Sequence, residues 1–293
     1  MRNSLFKPIK IMEQSWDYLI VLDACRYDFF NLIYSKYLNG NLQKVYSLGS
    51  STIEWCIRNF TGRYNDVVYI SANPYINSFR KVNGFKASDH FHKVVDVWKL
   101  FWNEKLGTVH PKDINNVAKI IVQTYKHYRF IIHYLQPHAP YIGYEKIIPN
   151  PGFPRPNINL REPLLHYVKG YRYGFLARNI IRLLSKLVRN NILSDENFWN
   201  ILTMLRLPPY SPMDAARRAL GKNGLRIAYY HNLMLVLKYV SKLVDQLSGK
   251  IIVTSDHGEL LGEDGMYSHA SGRVHPKLLE IPWFVVKNNR RKS

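Results

Sequence analysis

Short continuous apolar runs alternate along the chain with stretches whose apolar residues recur at helical spacing. Tyr18-Leu19-Ile20-Val21-Leu22 stops at Asp23, and Phe29, Phe30, Ile33 and Tyr37 then follow at the intervals of a helix. Val67-Val68-Tyr69-Ile70 ends at Ser71-Ala72-Asn73-Pro74. The segment from Ile114 to Tyr125, opened by Pro111 and Asp113, reads as a helix leading into the strand Phe130–Leu135. A long helix is expected from about Leu225 to Leu247, stopped by Gly249, before the strand Ile251-Ile252-Val253-Thr254. Strands that are apolar throughout and alternate with helices indicate a mostly parallel sheet covered on both faces. Such a sheet binds ligands at the carboxyl ends of its strands, and the polar motifs fall there.

From about Pro149 to Gly224 this rhythm breaks. Pro149, Pro151, Pro154 and Pro156 open the stretch, and Pro208, Pro209 and Pro212 close it. The organisation expected is one α/β domain over residues 1–293 with a mainly helical, Pro-bounded insertion at about 149–224. Within it, Leu176 to Leu193 reads as a basic amphipathic helix. Arg178, Arg182, Lys186 and Arg189 line one face, while Ile180, Leu183, Leu184, Leu187 and Val188 fill much of the rest. Such a helix rests on an anionic membrane or covers a substrate; the plainer reading is a solvated charged face. The tail Lys287–Ser293 reads as a frayed basic end.

Composition sharpens the partners. A formal net charge of +20 on 293 residues favours anionic ones: phosphorylated lipids, acidic glycans, nucleic acid or an anionic membrane face. No Gly-rich RNA motif, zinc finger or basic recognition helix is present, so nucleic acid is not expected. Cys25 and Cys56 make no CxxC pair and no disulfide framework, which fits a reducing compartment. Met1 to Lys7 turns charged before an apolar segment develops, and no apolar run reaches the length of a membrane span. The expectation is a cytoplasmic protein, with peripheral membrane contact through helix 176–193 as an option.

Chemistry gathers at the strand ends. Ile251 to Glu259 delivers Asp256 and His257 side by side after a buried strand, an oxygen and a nitrogen donor of the kind that suits zinc or manganese. Gly258 is expected to turn the backbone away at once. Alone, Asp-His-Gly is as readily a capped turn with an exposed histidine. Tyr18 to Asp28 places Asp23 at the end of the first strand, and Phe130 to Tyr141 places His138 in a Pro-flanked turn beyond another. Met266-Tyr267-Ser268-His269-Ala270 and Val274-His275-Pro276 add two loop histidines.

Taken in order, V-L-D-A-C-R-Y-D, H-Y-L-Q-P-H-A-P-Y and V-T-S-D-H-G-E-L-L-G-E resemble the signature set of the sulfatase-like members of the alkaline phosphatase superfamily. The likeness covers about residues 16–144 and 225–286. It implies a three-layer α/β/α sandwich with a mostly parallel central sheet. It also implies a divalent metal and a hydroxyl or formylglycine nucleophile that forms a covalent intermediate, released to water or an acceptor. It carries Asp23, Asp256 and His257 over as metal ligands and His138 as a substrate-contacting or proton-moving group. The later histidine falls on His269, with His275 as a second candidate. Arg26, beside Asp28, reads as an ion-pair residue rather than an anion site.

The nucleophile is expected in Gly49-Ser50-Ser51-Thr52-Ile53-Glu54-Trp55, three hydroxyls at a Gly-led turn before a helix whose N-terminus favours an anion. One of them has the plainer use of capping that helix. Sulfatases carry Cys-x-Pro-x-Arg here, ahead of an end similar to Thr61-Gly62-Arg63-Tyr64; counting back reaches Ser51 or Thr52, with Ser51 the favoured nucleophile and metal ligand. Neither Cys25 nor Cys56 begins Cys-x-Pro-x-Arg, so formylglycine is not expected. A Ser or Thr alkoxide suits phosphoester cleavage or phospho-group transfer. Two-metal relatives carry an Asp before the turn histidine where this chain has Gln136-Pro137-His138, so one divalent ion is expected, zinc or manganese favoured over calcium or magnesium. The resulting expectation is a metal-dependent hydrolase or phospho-group transferase acting on an anionic ester, lipid- or glycan-linked. The alternative is a catalytically silent sulfatase-fold protein that binds an anionic glycan or lipid, suggested by Ile53 where proline is usual.

Overall fold

The computed structural model describes residues 8–149, 152–153, 155–156, 175–190 and 192–287. Expectations that fall on Met1–Lys7, on Pro151 and Pro154, on the middle of the 149–224 stretch, and on the tail beyond Lys287 lie outside these residues.

In chain order the first elements are β1 (Tyr18–Leu22), α1 (Tyr27–Ile33), β2 (Gly40–Tyr46), α2 (Thr52–Asn59), β3 (Tyr64–Ser71) and β4 (Phe91–Asp96). Next come α3 (Val97–Phe101), the short pair β5 (Trp102–Asn103) and β6 (Thr108–Val109), α4 (Pro111–Thr124) and β7 (Arg129–Tyr134). Helices α5 (Phe175–Arg189), α6 (Asp195–Met204) and α7 (Pro212–Val244) follow. The last elements among the described residues are β8 (Ile251–Thr254), β9 (Leu260–Glu263), β10 (Met266–Ser268), α8 (Pro276–Leu279) and β11 (Glu280–Val286).

Seven strands form the central sheet in the order β2-β11-β8-β1-β7-β3-β4. β1 runs parallel to both β8 and β7, and β7, β3 and β4 continue the parallel run. β11 is antiparallel to β8 and to β2. The alternation of side chains along each strand divides the core in two. Ile20 and Leu22 of β1 pack with Phe30 and Ile33 of α1, Ile114 of α4, and Leu233 and Val236 of α7. Leu19 and Val21 face the other way, against Trp55, Cys56 and Phe60 of the α2 segment. These four side chains of β1 are fully buried, and each contributes about 1.5–3 kcal/mol by leaving water. The sheet therefore has helices on both faces, as the alternation of runs predicts.

Two boundaries differ from expectation. α7 begins at Pro212, with Ser211 as its N-cap, so residue 224 lies inside a helix rather than at the end of an insertion. Gly221, at φ 69° and ψ 179°, breaks the helix there, and the second helical piece starts close to the expected Leu225. The basic helix stops at Arg189 instead of Leu193, because Ser194 caps the separate helix α6. Strands β2 and β11 were not foreseen. β2 is an edge strand with mixed exposure, and Pro282 interrupts the apolar run of β11. Pairing with β8 runs over Trp283–Val285, just past that proline, so the missing N–H costs no bond to β8.

Candidate active site

β1, β8, β7 and β3 are neighbours and parallel, so their carboxyl ends deliver Asp23, Asp256, His257, His133 and Asn73 to one edge of the sheet. Ala24 follows Asp23 at φ 58°, a left-handed turn that aims its own N–H at Asp256 Oδ1, 3.1 Å away. The buried Tyr229 hydroxyl donates to the Ala24 carbonyl (2.7 Å) and accepts from the Arg26 N–H (2.9 Å), fixing that turn. Asn73 donates to Asp23 Oδ2 at 2.7 Å. His257 gives its Nδ1 proton to the Gly258 carbonyl at 2.8 Å, which leaves Nε2 as a free lone pair. That lone pair lies 3.4 Å from Asp256 Oδ2 and 3.8 Å from Asp23 Oδ1. Gly258 is needed for a different reason than the expected sharp turn. A Cβ there would stand 2.0 Å from the Lys277 carbonyl oxygen, and the Gly258 N–H donates to Leu278 at 2.7 Å.

Thr52, not Ser51, places a hydroxyl in this cluster. Its Oγ1 donates to Asp256 Oδ2 at 2.7 Å and lies 3.3 Å from His257 Nε2. Ser51 is turned to Ser271, hydroxyl to hydroxyl at 2.6 Å, and makes no side-chain cap although it occupies the N-cap position of α2. The helix start is tied down by Glu54 instead, which accepts from the Ser50 N–H and hydroxyl at 2.9 and 2.8 Å. The hydroxyl in the cluster, expected from Ser51, thus comes from its neighbour, because the first helical residue points into the sheet edge and the capping residue points out.

Ligand atoms of Asp23, Asp256 and His257 all lie within 4.8 Å of one another, and the three side chains are buried. Asp23 Oδ1 is a buried oxygen without a hydrogen-bond partner. Burial and the neighbouring Asp256 carboxylate push Asp23 well above the ordinary carboxylate range. Burial works on Asp256 as well, but the His257 and His133 imidazoles and the Thr52 hydroxyl outweigh it and hold that acid low. Two adjacent buried carboxylates with an orphaned oxygen, a free imidazole lone pair and a hydroxyl form a donor set that a divalent cation satisfies. The residues fit the metal that the sequence resemblance implies.

A second group stands beside the first. The β9–β10 hairpin brings His269 over His257, ring centroids 4.2 Å apart, and His138 lies 5.1 Å from His269. Glu259 joins them, with Oε1 3.0 Å from His269 Nδ1 and Oε2 buried without a partner. His138, Glu259 and His269 also satisfy the spacing of a ligand trio. Glu259 places a carboxylate beside the Gln136-Pro137-His138 turn, which has none of its own. Sequence reasoning passed over it although it stands two residues beyond His257. Burial raises Glu259 to about 7, and burial lowers His138 and His269 to about 4, so both imidazoles are neutral at pH 7.

Three further residues were missed. Asn73 ends its strand as Asp23 ends β1, a signal that was legible. His133 is a single polar residue in the apolar strand β7. Its Nδ1 pairs with the Tyr69 hydroxyl at 2.7 Å, and its Nε2 lies 3.9 Å from Asp23 and 3.8 Å from Asp256. Asn232 of α7 donates to the carbonyls of Pro137, His138 and Pro140 at 3.2, 3.1 and 3.2 Å, holding the turn that carries His138. Only tertiary structure reveals that role.

His275 is placed apart from both groups. It is the N-cap of α8, accepting from the Lys277 N–H at 3.0 Å, with Nε2 3.9 Å from Asp264. Arg26 is buried and bridges Asp28 and Glu263, each at 2.7 Å, as the ion-pair reading expects. The site opens into a cavity of about 610 Å³ whose wall includes Thr52, His138 and His269 on one side and residues of α5, α6 and the start of α7 on the other. Among the described residues, no helix is long and apolar enough to cross a membrane.

No protein-family model matches the sequence, and comparison with curated proteins also finds no match. Solved structures do match. The C-terminal periplasmic domain of EcEptC from Escherichia coli superposes with a TM-score of 0.50 at 11% identity, over 97% of this chain and 77% of that one. The integral membrane protein lipooligosaccharide phosphoethanolamine transferase A from Neisseria meningitidis gives 0.42 at 16% identity, over 97% of this chain; this chain spans about half of it, 48%. Phosphonate monoester hydrolase SpPMH from Silicibacter pomeroyi gives 0.45 at 14% identity, over 93% and 68%. The chain shares its fold with that periplasmic domain from Escherichia coli.

Proposed function

We propose that this protein is a metal-dependent phosphoesterase or phospho-group transferase whose nucleophile is the Thr52 hydroxyl. The observation that carries the reading is the position of that hydroxyl, 2.7 Å from Asp256 and 3.3 Å from His257 at the N-terminus of α2. Asp23, Asp256 and His257 would hold one divalent ion, zinc or manganese. Such an ion supplies Lewis acidity, favouring the ionised hydroxyl and offsetting charge on the phosphoryl oxygens.

The chain's own residues then divide the work. Thr52 gives up the proton it now directs to Asp256 Oδ2 to water in the cavity, and its oxygen attacks phosphorus in line as the ester bond opposite breaks. The first-turn N–H groups of α2 face the phosphoryl oxygens and stabilise their charge, and His138 joins them once protonated, which the anionic substrate beside it favours. Glu259, raised by burial to about 7, hands its proton to His269 Nδ1 as the Nε2 proton of that neutral imidazole passes to the departing oxygen, and both return when water or an acceptor hydroxyl is deprotonated in the second half-reaction. Asn73 fixes Asp23, and Asn232 fixes the His138 turn. Hydrolysis and transfer share these steps and differ in what the cavity admits as acceptor.

The substrate proposed is an anionic phosphate ester, lipid- or glycan-linked. Contact of α5 with an anionic membrane face is supported by exposed Leu176 and Leu183 beside Arg178 and Lys186. An insertion at about 149–224 within one domain is proposed; from it, α5, α6 and the start of α7 line the outer wall of the cavity. A cytoplasmic location is supported by two buried free thiols, Cys25 and Cys56; the E. coli neighbour is a periplasmic domain.

The test is hydrolysis of 4-nitrophenyl phosphate, bis(4-nitrophenyl) phosphate and 4-nitrophenyl sulfate by metal-stripped protein, before and after manganese or zinc. Metal-dependent release from a phosphate ester, trapped as a phosphoryl group on the peptide carrying Thr52, supports the reading. Stoichiometric metal with no turnover on any ester or added acceptor would place the protein among silent, anion-binding members of the fold.

A further inference from the structure

We propose that the substrate carries a second phosphate-type anion, gripped by Arg182 and Arg189 on the far wall of the cavity that holds Thr52. The inference rests on the phosphoester reading and adds a substrate class to it.

At about 610 Å³ the cavity is far larger than one phosphoryl group needs and falls in the range that encloses a whole small-molecule ligand. One end reaches Thr52, His138 and His269. At the other, α5 contributes Arg182, Ser185 and Arg189, residues at spacings of three and four that share one helix face. The single carboxylate in the wall, Asp195, is already occupied by Arg273 at 2.7 Å. Arg182 and Arg189 have no such partner among the described residues. Two like charges turned into one concavity repel each other, and a bound anion removes that cost. The planar guanidinium fork matches a phosphate in two-point contact, and Ser185 adds a hydroxyl donor between the two.

Phe153, Phe198 and Trp199 line the space as well. The cavity is therefore cationic at α5, apolar in part of its wall, and built for phosphoryl chemistry at Thr52. A ligand matching that order has a reacting phosphate ester, a carbon body, and a second phosphate. The second phosphate could belong to a soluble ester or to a lipid headgroup.

Two probes that differ only in that group decide the matter: thymidine 5′-(4-nitrophenyl phosphate) and the same ester bearing a 3′-phosphate. The ratio of kcat/KM should favour the bis-phosphate by roughly tenfold, the size expected of partly screened charged contacts. In Arg182→Gln/Arg189→Gln the ratio should fall to near one, and the double lysine variant should restore part of it. A ratio unchanged by the glutamine pair overturns the proposal. Should neither ester turn over, the phosphoesterase reading fails on its own, and calorimetry still decides this one. Thymidine 3′,5′-bisphosphate should bind about tenfold tighter than thymidine 5′-phosphate, and only while the arginines are present. Competition then separates the sources. Equal inhibition by glycerol 3-phosphate and dihexanoyl phosphatidic acid assigns a soluble phosphate, and much tighter inhibition by the lipid assigns a headgroup. Inhibition by neither, with Arg182 and Arg189 required instead for sedimentation on phosphatidylglycerol vesicles, assigns these two arginines to the membrane-facing side of α5 and overturns the proposal.

Discussion

Replacing Thr52 with valine removes one hydroxyl and keeps the shape of the side chain. Thr52 is buried, and its hydroxyl donates at 2.7 Å to a buried carboxylate. Loss of a hydrogen bond to a charged group costs about 1.5–3 kcal/mol in the metal-free protein. For a chain of this size that lowers Tm by roughly 3–10 °C. The effect on turnover is far larger, because deleting a covalent nucleophile removes about four to six orders of magnitude from kcat. Ser51→Ala is the matched control. Its hydroxyl meets only Ser271, so stability should change by less than about 0.5 kcal/mol and turnover by no more than a few-fold. The assay is release of 4-nitrophenol from bis(4-nitrophenyl) phosphate at saturating manganese, with melting curves recorded with and without metal. Retained turnover in Thr52→Val together with silence in Ser51→Ala would refute the assignment and return the nucleophile to Ser51.

Other outcomes follow from the same geometry. Glu259→Gln removes the partner that orients His269 and should lower kcat by about 10–100-fold, while metal analysis still finds the ion held by Asp23, Asp256 and His257; full activity would show that His269 needs no such support. Gly258→Ala drives a Cβ to 2.0 Å from the Lys277 carbonyl and should cost about 3 kcal/mol or more, read by urea denaturation. Arg26→Met should cost about 2–4 kcal/mol rather than more, because Asp28 keeps Lys277 and Glu263 keeps Arg226 as partners. Burial alone would raise Asp28, but Arg26 and Lys277 hold it below the usual carboxylate range. Its contribution to stability is then present above about pH 4 and lost as pH falls further. Asp28→Asn should flatten the acid limb of a Tm-against-pH curve, and an unchanged limb would remove Asp28 from its causes.

The parallel sheet and the convergence of Asp23, Asp256 and His257 were legible because strands buried on both faces show as unbroken apolar runs, and ligands sit where such runs stop. Asn73 obeys the same rule and could have been read with them. The choice between Ser51 and Thr52 was not legible. Both hydroxyls stand at the helix start, and only the backbone direction of α2 decides which enters the cluster. Glu259 was hidden by its neighbours, since an acid after Asp-His-Gly reads as one more surface charge until the β9–β10 hairpin folds His269 onto it. His275 matched a loop histidine of the expected kind, but proline at the next position starts a helix there and makes its ring a cap. The pairing of Arg182 and Arg189 with the cavity depends on how α5 lies across the site, which amphipathic spacing alone leaves open.

The most direct test of the account is metal content and ester hydrolysis measured together on metal-stripped protein, reloaded with zinc or manganese, beside Asp256→Ala. The account predicts an ion bound at Asp23, Asp256 and His257, phosphate-ester hydrolysis that returns with it, and loss of both in a folded Asp256→Ala variant. Undiminished hydrolysis in the stripped protein or in the variant would contradict it.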